Sequence, residues 1–171
     1  LNGEVDFVEA PPHDLLPLLE KDPKIAMSVI APMGRQYALR FNVLFKPFDD
    51  AKIRQAVVMA FNQKDFLEAV VGNPKYYLVC KSIYPCGSPF ETSKGFEDKL
   101  ESNFSKARAL LEEAGYDGTP VVLMQSTDVA ALANLAPVAK TLMEKAGLKV
   151  DLQAMDWQTL GARRTKKDPP H

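Results

Sequence analysis

The chain has 171 residues, 46% of them hydrophobic and 25% charged, the balance of a soluble globular domain with room for a sizeable core. Its 21 basic and 22 acidic residues leave a net charge of −1, so no overall basic field recruits nucleic acid, and no apolar run approaches the roughly 20 residues of a membrane-spanning helix. The opening LNGE has neither an initiator Met nor a basic-then-apolar signal, and the chain stops on Pro-Pro-His, so both ends read as cuts in a longer protein.

Along the chain, Gly3 to Glu9 reads as a short strand with Val5 and Phe7 on one face. Pro11 and Pro12 lead into a short helix, Leu15 to Glu20, which Asp22-Pro23 ends because the residue before proline avoids helical angles. Lys24 to Ala31 alternates as a strand, Pro32 to Gly34 is a turn, and Gln36 to Leu44 alternates as a longer strand. In that longer strand Tyr37, Leu39, Phe41 and Val43 share one face, and Arg40 and Asn42 point together on the other.

Asp49 or Asp50 caps a helix to Phe61 whose Ile53, Ala56, Val57 and Ala60 form a buried stripe. Asn62 caps a second helix, Lys64 to Val71, which Gly72 stops. Asn73 to Ser102 has no period and holds three prolines and two glycines; a structureless stretch of this length is uncommon unless functional or specially restrained. Cys80 and Cys86 sit inside it, at a spacing that matches neither a redox motif nor a zinc knuckle. The pair reads first as a disulfide stapling a small loop, with free buried thiols as the alternative; a disulfide implies an oxidising compartment.

Asn103 opens a helix with Ala107, Leu110, Leu111 and Ala114 inward, and Gly115 stops it. Pro120 to Ser126 is a strand. Asp128 to Ala146 is a helix that Pro137 kinks or restarts, with Leu132, Leu135, Ala139, Leu142 and Met143 inward. Val150 to Met155 is a strand, and Asp156 caps the last helix. Strand, helix, strand in this order favours parallel pairing through a crossover.

Chemistry candidates are few. His13, the only interior histidine, lies on a proline-rich turn far from either cysteine and reads as an exposed turn residue rather than a base. Asp49-Asp50 reads as helix capping and Glu112-Glu113 as a solvated helix face. No glycine-rich phosphate loop, metal cluster or cofactor motif is present. The basic run Arg163 to Lys167 has no interleaved aromatics and reads as a helix end that favours cations. On a helix from Asp156, residues 157, 160, 161 and 164 share a face, so Trp157 and Arg164 project to one side with Gly161 between them. A flat aromatic beside a guanidinium suits a ligand with a side chain and a carboxylate; Trp157 in the core with Arg164 solvated is the equal alternative.

Six stretches in order, LNGEVD at 1–6, LRFN at 39–42, PFDDAKIRQA at 47–56, SKARALLEEAGY at 105–116, AGLKV at 146–150 and Asp156-Trp157, resemble the dipeptide/oligopeptide-type (family 5) solute-binding proteins of ABC importers. The resemblance implies an α/β lobe of a type II, Venus-flytrap fold, a mixed sheet flanked by helices. On it, residues 1–41 would close the first lobe and supply the inter-lobe crossover strand, and 42–171 would form a truncated second lobe with a loop stapled near 80–86. It places Trp157 and Arg164 beside the ligand, with Arg163, Asn42, Arg40 and Tyr84 as weaker candidates. It implies a binding module and not an enzyme, periplasmic or anchored at the cell surface. The module would take peptides or similar small solutes and deliver them to an ABC permease, with no nucleic-acid partner and no insertion into the membrane. A sensor lobe of the same fold and an α/β enzyme domain are the rival readings. The family's next segment supplies an acidic residue for a peptide's α-amino group, so this stretch alone is expected to hold half of a site.

Overall fold

The computed structural model describes residues 3–167; Leu1 and Asn2 of the first motif, and His171, lie outside the described residues. A 3-10 turn at His13–Leu15 runs into α1 (Leu16–Leu19). Then come α2 (Ala51–Ala60), α3 (Gln63–Val70), α4 (Phe104–Glu113), β1 (Val121–Ser126), α5 (Ala130–Ala133), α6 (Leu135–Ala146), β2 (Val150–Met155) and α7 (Trp157–Arg164).

α2 is the centre of the core. Its capping aspartate is Asp50, whose carboxylate accepts from the Lys52 N–H at 2.6 Å. The expected stripe Ile53, Ala56, Val57 and Ala60 is buried, together with Met59. The stripe meets Ala107 and Leu111 of α4, Ala136, Ala139, Met143 and Ala146 of α6, and Val121 and Leu123 of β1. Ala56, Ala60, Ala107 and Ala146 are wholly buried, and their small side chains let the helices approach closely. Met143, 1% exposed, and Val57 fill the middle.

β1 and β2 pair in parallel, Val121 with Val150 through Ser126 with Met155, joined by α5 and α6 as the element order requires. Among the described residues the sheet is this pair. The long helix expected from Asp128 is divided: α5 ends at Ala133, and α6 restarts at Leu135 with Pro137 in its first turn, where the missing N–H costs nothing. Gly147 closes α6 at φ 107°, a left-handed angle that a side chain would strain.

Three expected strands do not form. Gly3 to Glu9, Lys24 to Ala31 and Gln36 to Leu44 carry no ladder pairing, although the 31–34 turn is present, with the Gly34 N–H bonded to the Ala31 carbonyl at 2.8 Å. Alternation supplies a pleat pattern, but a strand exists only when a neighbour takes its N–H and C=O groups, and the described chain gives these segments none. Most of their apolar residues consequently stay exposed, Val29 at 81% and Tyr37 at 47%, while Phe41 packs on the core beside Phe48.

The segment 73–102 has little regular structure and is held from within. Cys80 and Cys86 form a disulfide, Cα to Cα 5.8 Å. The Gln63 side chain accepts from the Cys80 N–H at 2.6 Å, and the Ser82 hydroxyl accepts from the N–H groups of Tyr84 and Thr92. At its far end the Ser102 hydroxyl and N–H, and the Asn103 N–H, satisfy the carbonyls of Ala60, Phe61 and Met59, groups that the end of a helix would otherwise leave unpaired.

Candidate functional site

The two parallel strands end together at Ser126 and Met155, and α7 starts immediately beyond them. In open α/β sheets, the ground beyond the carboxyl ends of parallel strands is where ligands bind. α7 is made locally. Asp156 caps it, one carboxylate oxygen accepting from the Thr159 N–H at 2.9 Å and the other from the Thr159 hydroxyl at 2.6 Å. The Thr159 hydroxyl first, and then backbone N–H groups, hold the Asp156 carboxyl below its usual range.

α7 buries none of its residues. Trp157 is 39% exposed and outside the core cluster, which corrects the alternative of a core tryptophan. The Arg164 guanidinium lies over the Trp157 ring, 5.4 Å from its centroid, so the spacing argument is met in space. Gly161 stands between them, and a Cβ built there would meet nothing within 4 Å. The result is an open shelf: an aromatic face, a guanidinium and a bare helix backbone between.

The remaining candidates fall elsewhere. Arg163 is directed onto β2, where it donates to the Gln153 side-chain oxygen at 2.7 Å and reaches the Met155 sulfur at 3.9 Å. Asn42 is exposed and accepts from the Leu44 N–H at 3.2 Å, and Arg40 is exposed two residues earlier. Tyr84 sits on the disulfide loop, its ring 5.6 Å from that of Phe90, and both are exposed. With no strand at 36–44, the shared face expected of Arg40 and Asn42 has no pleat to define it. The side chain of Gln36 donates to the Ser82 carbonyl at 3.4 Å, which links that segment to the Tyr84 loop.

Sequence reasoning missed Asp128. The pattern puts it at the start of a helix, but it lies in the turn after β1, where one carboxylate oxygen accepts from the Trp157 N–H at 2.8 Å and the Ser126 hydroxyl at 2.9 Å. The signal was a carboxylate two residues after a strand's last buried position. Gln153, the acceptor for Arg163, was likewise read only as a strand residue.

Other chemistry finds no support among the described residues. Both cysteines are consumed by the disulfide, so neither offers a nucleophilic thiol. No group of three or more His, Cys, Asp or Glu could hold a metal ion, and no helix is long and apolar enough to cross a membrane. A polar cleft lined by Lys46, Asp49, Asp50, Tyr116, Asp117 and Thr119 contains carboxylates with structural work: Asp50 caps α2 and Asp117 accepts from the Thr119 N–H.

Residues 1–170 match the sequence model of the bacterial extracellular solute-binding proteins, family 5, middle region. The chain is 35% identical, over 97% of its length, to a protein of Sinorhizobium fredii named as a probable peptide ABC transporter periplasmic-binding protein, y4tO, and covers 32% of it. It is 28% identical, over 96% of its length, to di/tripeptide-binding protein 2 of Pseudomonas aeruginosa, covering 30% of that protein. In structure it resembles HbpA2 from Haemophilus parasuis, with a TM-score of 0.60 and 23% identity over 94% of this chain and 32% of that one. The likeness establishes an α/β fold of the periplasmic-binding-protein type. The chain spans about a third of the length of the curated relatives it matches.

Proposed function

Because this chain belongs to the family 5 bacterial extracellular solute-binding proteins, we propose that it is the middle part of a receptor that captures peptides outside the inner membrane and delivers them to an ABC permease. Relatives named as peptide and di/tripeptide binders support a short peptide as the ligand, and the naming of the Sinorhizobium fredii relative as a periplasmic-binding protein supports the periplasm as the compartment. The disulfide agrees with an oxidising location. The receptor binds and does not turn its ligand over.

The observation that carries this reading within the chain is the open Trp157–Arg164 shelf beyond the ends of β1 and β2. There the ring supports a peptide side chain or backbone plane, and Arg164 pairs with a carboxylate, a charge-assisted contact. Residues 1–41 close the first lobe and carry the crossover, and 42–171 belong to the second, with Arg40, Asn42 and Tyr84 nearer the crossover than the shelf. Ligand then draws the lobes together by hinge motion, and the closed form is the one that the permease recognises.

Native mass spectrometry of the full-length protein, purified from its host without denaturation, tests the ligand class. Retained masses matching short peptides, with compaction in small-angle scattering on adding them back, are the expected result. A retained sugar or metal chelate would replace the peptide; no compaction with any di- or tripeptide would overturn the reading.

A further inference from the structure

α7 poses a mechanical question. It carries the shelf, yet it buries no residue; it lies against β1, and its Arg163 reaches β2. α7 follows β2 after a single residue, and its one large aliphatic side chain, Leu160, is only half-buried, so the angle at which it leaves the sheet depends on polar contacts. Asp156 does not set that angle, because both Asp156 oxygens bond to Thr159 within the helix itself and would cap α7 at any angle. At the start of the helix, the contacts that set it come from the end of β1. The Thr127 N–H and hydroxyl reach the Met155 carbonyl at 3.0 and 3.3 Å, which carries the ladder one residue past the strands. Asp128 then takes the N–H of Trp157, the first residue of α7. Its carboxylate is aimed by the Ser126 hydroxyl, on a residue only 2% exposed whose polar group needs a partner there.

We infer that Asp128 is a positioning residue for the ligand site: it pins the first turn of α7 to the β1 end and so sets where Trp157 and Arg164 stand. The inference rests on the shelf being the ligand site. A carboxylate suits the role because it accepts from two donors through one oxygen and favours the positive end of the helix dipole. At the opposite end of the helix, Arg163 on Gln153 holds the last turn, so loss of Asp128 frees one end and changes the angle of the shelf without detaching it.

The test uses the full-length protein and an equimolar pool of di- and tripeptides, the retained species then being titrated by calorimetry. Asp128→Ala, Asp128→Asn and Arg164→Ala are compared for affinity, melting temperature and amide exchange in residues 157–164. Asp128→Ala is expected to weaken binding about tenfold, with faster exchange in α7 and an earlier melt because the Ser126 hydroxyl loses its acceptor, as for loss of a charge-assisted bond. Asp128→Asn keeps an acceptor oxygen and is expected to restore affinity to within about threefold. If Asp128→Ala binds within twofold of the parent while Arg164→Ala loses affinity, the shelf stands and the positioning role is refuted. If Asp128→Asn falls with Asp128→Ala and both melt earlier, the role is merely structural and the inference fails. If Arg164→Ala binds normally, the shelf reading falls and takes the inference with it. Should no peptide be retained, exchange alone decides: α7 protection lost in Asp128→Ala and regained in Asp128→Asn supports the pin, and unchanged protection removes it.

Discussion

Gly161→Ala separates the stability of the helix from the ligand role proposed for it. Glycine in a helix interior costs about 1 kcal/mol relative to alanine, through backbone entropy. Gly161 lies in the middle of α7, has no left-handed angle, and a Cβ there would meet nothing within 4 Å. The substitution should therefore stabilise α7 by close to that full amount, which slows local opening about fivefold. Amide exchange of residues 157–164 in the full-length protein reads this directly, with α2 as the unchanged internal reference. The same methyl group stands on the shelf between Trp157 and Arg164. If a ligand packs there, the intrusion costs about 1 to 3 kcal/mol, or roughly 5- to 150-fold in Kd. The expected result is a more stable helix that binds more weakly. Slower exchange with unchanged affinity would remove the shelf from the ligand site, and faster exchange would mean that α7 is not the helix described.

Replacing Cys80 and Cys86 together by serine opens a short loop; chain entropy puts the loss at about 2 kcal/mol, measured as a lower denaturant midpoint. Met143→Ala in the centre of the core should cost about 2 to 5 kcal/mol by the same assay, because α2, α4 and α6 all meet there. Acid should weaken the connection between the 73–102 segment and α4. Hydrogen bonds from Lys106 first, and then Lys99, lower the Asp98 carboxyl to about 2. A folded value below the unfolded one gives stability that is complete above about pH 4 and is lost as pH falls through 2. Asp98→Asn should therefore flatten the denaturation midpoint across that interval, and an unaltered acid limb would show that these ion pairs contribute nothing.

The helices were legible because each carries its own instructions. Asp50, Asn62, Asn103 and Asp156 each accept a backbone N–H from the first turn of the helix they precede, and Gly72, Gly115 and Gly147 take left-handed angles just beyond helix ends. The parallel pair was legible because a helix between two strands leaves little else. The strands at 3–9, 24–31 and 36–44 were misjudged for a related reason: alternation records which face a residue would show, and pairing is decided by a neighbour that the pattern does not name. The break at Asn134 was half legible, since Pro137 signalled a restart without giving its position.

Within the proposed site, the pairing of ring and guanidinium could be read from the sequence, and the Asp128 contact at the start of the helix could not. Trp157, Gly161 and Arg164 are bound to one face by helical geometry alone, so the eight residues of α7 sufficed to bring ring and guanidinium together. Arg163, their neighbour, points to Gln153 because a helix turns 100° per residue, so that two adjacent arginines cannot serve the same face. Asp128 acts across 29 residues of chain, through the meeting of one strand's end with the start of a helix after another strand. That contact exists only once β1 and β2 are in register: a one-residue slip would carry Asp128 away from the Trp157 N–H and turn Ser126 out of the core. On the proposed positioning role, the register of the sheet sets the pose of the shelf, which makes the buried residues of β1, Val121 and Leu123, as much a condition of the proposed site as the tryptophan exposed upon it.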